Sequence, residues 1–71
     1  SVFKVYPNPT KDSVTIEGQF SSIVVFNSQG QLLDIEPSIR IDLGEYPNGI
    51  YYFQLTSKKG EVSVIKVNKE L

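Results

Sequence analysis

Apolar residues recur along this chain with a period of two. Val14 and Ile16 alternate with Ser13, Thr15 and Glu17. Ile39, Ile41 and Leu43 alternate with Arg40 and Asp42, and Tyr51, Phe53 and Leu55 alternate with Tyr52, Gln54 and Thr56. Successive side chains of a strand point to opposite faces, so each set predicts a strand with one face on a core. β-Branched and aromatic residues dominate these runs and Ala is absent, which favours strand over helix. No segment carries a convincing 3.6-residue period.

Turn formers divide the runs. Pro7-Asn8-Pro9 follows a first strand over residues 2–6. Gly18 and Ser21-Ser22 separate a strand over 13–17 from one over 23–27. Ser28-Gln29-Gly30-Gln31 predicts a hairpin turn, with a short return strand over 32–35. Glu36-Pro37-Ser38 precedes a strand over 39–43, and a loop from Gly44 to Gly49 precedes one over 50–56. Ser57-Lys58-Lys59-Gly60 then turns into a last strand over 61–68. About seven short antiparallel strands suit an all-β, immunoglobulin-like sandwich. Ile23-Val24-Val25-Phe26 is apolar at four successive positions, so this strand is expected to be covered on both faces or to meet a partner. In the last strand, Ile65 and Val67 are expected to point inward, because that sends Lys66 to solvent and avoids burying an unpaired charge.

Composition narrows the chemistry. Seventy-one residues make one domain with a modest core and no cysteine to staple it. The absence of His and Cys removes most nucleophile–base pairs and most transition-metal sites. The carboxylates Asp12, Glu17, Asp34, Glu36, Asp42, Glu45, Glu61 and Glu70 fall at turns and exposed strand positions, where solvated surface charge is expected. No EF-hand spacing is present, and no cofactor is implied. The net charge of −1, with no basic stripe, argues against nucleic acid. No apolar run approaches the ~20 residues of a transmembrane helix, and nothing at the start reads as a signal peptide. The absence of Met leads us to expect a piece of a longer polypeptide.

Three further features invite a functional reading. Tyr51 and Phe53 fall at in-facing positions and are expected in the core, whereas Tyr52 faces outward and could join Tyr46 in a sugar platform. Lys58, Lys59, Lys66 and Lys69 could form a basic edge or simply protect an exposed strand. Pro7 and Pro9 fix φ at two points, Asn8 is expected to hydrogen-bond nearby backbone within their turn, and Gly49 is expected to adopt a conformation closed to other residues.

Read in order, the segments resemble the C-terminal sorting domain of type IX secretion system cargo proteins of Bacteroidetes. The resemblance rests on Val5-Tyr6-Pro7-Asn8-Pro9, then Ser13–Gly18, then Ile23–Gly30 with its terminal glycine turn. It continues through Ile39–Leu43, Pro47-Asn48-Gly49-Ile50-Tyr51 and Val64-Ile65-Lys66-Val67-Asn68-Lys69, nearly the whole chain. It implies a non-catalytic secretion signal, carried behind a cargo protein that precedes Ser1. Such a domain would pass through the periplasm, meet the outer-membrane translocon, and be removed by a sortase-like peptidase as the cargo is released or attached to the surface. The residues implied in sorting are Pro7, Asn8, Pro9, Gly49, Tyr51, Lys66, Val67 and Lys69. The receptor is expected to read the last hairpin and terminus. Lys66→Ala, or deletion of residues 68–71, is expected to impair export at nearly unchanged melting temperature. The competing reading is a structural or carbohydrate-binding module appended to a secreted enzyme.

Overall fold

The structure, a computed structural model, describes residues 2–70. Among them six strands form: β1 (Lys4–Tyr6), β2 (Ser13–Glu17), β3 (Phe20–Asn27), β4 (Arg40–Asp42), β5 (Gly49–Ser57) and β6 (Val62–Lys69). They make two three-stranded antiparallel sheets, ordered β1-β2-β4 and β3-β5-β6. The fold is an all-β sandwich, as the two-residue period predicts.

The inward faces supply the core. Val5, Val14, Ile16 and Ile41 come from the first sheet, and Ile23, Val25, Tyr51, Phe53, Leu55 and Val67 from the second; Phe3 and Leu43 join them from flanking chain. Phe53, Leu55, Leu43 and Val67 are wholly removed from solvent. Burying a side chain of this size contributes about 1.5–3 kcal/mol, and a chain without disulfides depends on that term.

Several expectations need correction. The return strand over 32–35 does not form: Leu32 makes an isolated bridge with Phe26, and Leu33 N–H donates to Val25 O. Ile35 N–H then donates to Leu33 O, a tight bend that lifts the chain off the β3 edge. Leu33 and Ile35 still pack on the core through their side chains, so the alternating pattern is real but the ladder is not. Six strands therefore replace about seven. Ser21 and Ser22 lie inside β3, next to a register shift between Phe20 and Ser22, rather than separating two strands. Ile39 is exposed; its carbonyl accepts from Ile16 N–H while its side chain stays outside the core. The remaining strands fall within two residues of expectation, and Ile65 and Val67 point inward with Lys66 outward.

Candidate functional site: a clasp between the first turn and the last strand

Three segments far apart in sequence meet at one end of the sandwich. The first is the turn after β1, where both the Tyr6–Pro7 and Asn8–Pro9 peptides are cis. Its Asn8 side chain bonds the backbone of β6, not its own turn. Asn8 Nδ2 donates to Lys66 O at 2.8 Å, and Asn8 Oδ1 accepts from Asn68 N–H at 3.0 Å. A carboxamide presents one donor and one acceptor side by side, as an adjacent strand would. Asn8 thus occupies the outer edge of β6 without being a strand residue.

Two residues on, the backbone continues the pairing. Thr10 N–H donates to Asn68 O at 2.9 Å, and Glu70 N–H donates to Thr10 O at 2.8 Å, a parallel bridge between Thr10 and Lys69. Thr10 is buried, and its Oγ1 donates to Ser13 O at 2.6 Å, tying the clasp to the start of β2. The first sheet is joined to the edge of the second at this point.

The third segment is the loop into β5. Tyr51 is buried, and its hydroxyl donates to Pro47 O. Tyr46 packs edge-on to the Tyr51 ring, with centroids 6.4 Å apart and planes at 67°. Burial pushes the Tyr51 phenol above its ordinary 10.0, and the neighbouring Tyr46 adds to the rise. Gly49 has φ of +148°, so the left-handed backbone expected there is present. A Cβ at Gly49 would meet nothing within 4 Å, which makes backbone conformation, not space, the reason for glycine. Gly49 pairs with Lys69 across the β5–β6 ladder.

Lys69 departs most from expectation. It is not part of a basic edge: it points inward with only 6% of its surface exposed, and its Nζ donates to Tyr46 O at 2.6 Å. Its aliphatic stem lies within the sandwich and its ammonium latches the 46–49 loop. Lys58, Lys59 and Lys66 remain exposed.

The clasp therefore brings together Asn8, Gly49, Tyr51, Lys66, Val67 and Lys69 from the implied sorting set. Pro7 and Pro9 flank Asn8 and are exposed. Thr10, Asn68 and Glu70 act here too, through backbone groups that no residue type announces. Because Asn68, Lys69 and Glu70 carry these bonds, removing residues 68–71 cannot leave stability untouched as first expected; Leu71 itself lies outside the described residues.

The chemistry elsewhere is thin. Asp34, Glu36, Asp42 and Glu45 line a groove of about 330 Å³ together with Arg40, but all are solvent-exposed. Among the described residues no group of acids is placed to hold a metal ion. Tyr46 and Tyr52 do not form one platform: Tyr46 packs on Tyr51 and the core, whereas Tyr52 lies on the outer face of its sheet.

Residues 4–69 match the family model of the secretion system C-terminal sorting domain, and the chain belongs to that family. These are non-catalytic secretion signals of the type IX system, which direct their carrier to secretion or to the cell surface through the secretion machinery. No curated protein sequence matches the chain.

Proposed function

We propose that this domain is recognised in the periplasm by outer-membrane components of the translocon, and that a sortase-like peptidase cuts at or upstream of Ser1 once the preceding cargo has crossed. The observation that carries this reading is the division of labour in the last strand. Val67 and Lys69 are buried in the fold, while Lys66, immediately before them, faces solvent. The clasp presents Lys66 in a fixed register, opposite Tyr52 on β5. In this reading Pro7, Asn8, Pro9, Gly49 and Tyr51 build the shape, and Lys66 belongs to the surface that is read.

The test is a fusion of residues 1–71 behind a periplasmic reporter in a host that carries the machinery. The reporter is expected in the medium or on the cell surface, separated from the domain by cleavage near the junction. A reporter that stays in the periplasm while the domain binds polysaccharide would favour the carbohydrate-binding reading instead.

A further inference from the structure

The four asparagines of the chain differ in what holds their carboxamides. Asn8 is bonded to β6 through both its donor and its acceptor. Asn27 Nδ2 donates to Gln31 Oε1, and its Oδ1 accepts from the N–H groups of Gln29 and Gln31. Asn68 Nδ2 donates to Glu70 Oε2 at 3.3 Å. Asn48 is exposed, and among the described residues its carboxamide has no partner. It is also the one asparagine followed by glycine. A side chain on the following residue hinders attack by that residue's nitrogen on an asparagine carboxamide. Gly49 has no side chain, and nothing stands within 4 Å of where its Cβ would be. What restrains the Gly49 nitrogen is the ladder. Asn8 takes the Asn68 N–H and gives to Lys66 O, so the even-numbered residues there turn their backbone groups away from β5. Lys69 turns its own toward Gly49, its register partner, and the two make a hydrogen-bonded pair.

We propose that Asn48 is a site of spontaneous deamidation that the clasp holds in check. When the end of β6 lifts from Gly49, the freed nitrogen attacks Asn48 Cγ. The N–Cγ bond forms, the Cγ–Nδ2 bond breaks, and ammonia leaves with the proton given up by the Gly49 nitrogen. The five-membered imide that remains is opened by water at either carbonyl. One opening gives aspartate. The other gives isoaspartate, in which the main chain runs through the side-chain carbons and is one atom longer. That atom falls between two loop carbonyls and the strands that carry their donors: Lys69 Nζ reaches Tyr46 O, and the Tyr51 hydroxyl reaches Pro47 O. A lengthened loop does not set both carbonyls where those donors stand, so the clasp no longer closes as before. Opening of a strand end, short of global unfolding, exposes the site, and the change it permits is irreversible. The inference stands apart from the secretion-signal reading.

The test incubates the purified chain in warm neutral buffer and follows deamidation by mass. The change is mapped in the tryptic peptide spanning residues 41–58, and isoaspartate is detected with an isoaspartyl methyltransferase. The folded parent is expected to react slowly, Lys69→Ala roughly tenfold faster, and the urea-unfolded parent fastest of all. If Lys69→Ala fails to fold, Asn8→Ala, which leaves the core side chains in place, carries the comparison and should also outpace the parent. Isoaspartate-bearing chains, purified by chromatography, should melt at least ~5 °C below the parent. Asn48→Asp, which adds the charge without the extra atom, should melt within ~3 °C of it. Equal rates in the folded parent and the folded clasp variants overturn the proposal, as does a parent that reacts as fast folded as in urea. So does an unfolded chain that does not react, modification confined to Asn27 or Asn68, or an isoaspartate form that melts like the parent.

Discussion

Tyr51 combines three roles at one position: a buried ring, a hydroxyl bonded to Pro47 O, and an edge for Tyr46. Truncation to Ala is expected to cost about 3–5 kcal/mol, a large part of the roughly 4–10 kcal/mol that a domain of this size commands. Loss of export from that variant would report unfolding, and a melting curve separates the two causes. Asn8 offers a finer probe. Asn8→Ala removes both bonds to β6 and is expected to cost about 1–2 kcal/mol by chemical denaturation. Asn8→Asp keeps an acceptor for Asn68 N–H but sets a carboxylate oxygen against Lys66 O, so it should be no better than Ala; a stability equal to the parent's would count against the clasp. The two lysines divide in the same way. Lys66→Ala should move stability by no more than about 0.5 kcal/mol. Lys69→Ala should cost about 1–3 kcal/mol, through lost packing of the stem and the lost bond to Tyr46 O.

At the level of elements, β6 is an edge strand finished by side chains and backbone from elsewhere. An open edge invites strand addition, and here Asn8 and Thr10 cover its C-terminal half. Deleting residues 68–71 removes the Thr10 bridge and the Lys69 latch together. It is expected to lower the melting temperature markedly, by about 3 kcal/mol or more of stability, the sum expected for a buried side chain and several paired backbone groups. A deletion variant that melts like the parent would show that the bridge contributes nothing. Export experiments with tail deletions thus confound folding with recognition, whereas Lys66→Ala does not. Segment 32–35 shows the opposite case, a strand-like pattern without a ladder, because pairing with β3 stops at the Leu32 bridge and the Leu33 N–H, and beyond the bend Ile35 meets the core through its side chain.

For the molecule as a whole, the raised phenol of Tyr51 links the fold to pH. Its proton is held more tightly when folded, so the unfolded chain loses that proton first as pH rises past 10.0. The unfolded state then binds fewer protons than the native one, and stability falls with pH. The contribution is fully present below 10.0 and is lost as pH rises through the folded value. Melting temperature is therefore expected to decline on the alkaline side, and Tyr51→Phe should decline less steeply from a lower starting point. Equal slopes for the two proteins would remove Tyr51 from that linkage.

Strand content, the inward faces of β2 and β5, and the outward aim of Lys66 were legible in the sequence because a two-residue period and the cost of burying charge act locally. Gly49 was legible for the same reason: its backbone conformation belongs to its own turn. The partners of Asn8, the bridge at Thr10 and the burial of Lys69 were not, since each depends on a segment dozens of residues away arriving in register. A lysine near the end of an edge strand looks solvated until the sandwich closes and a carbonyl of Tyr46 is found waiting for its ammonium. Residue pattern thus set which sides of the strands turn inward; the meeting of the two sheets alone decided which polar groups would hold them shut.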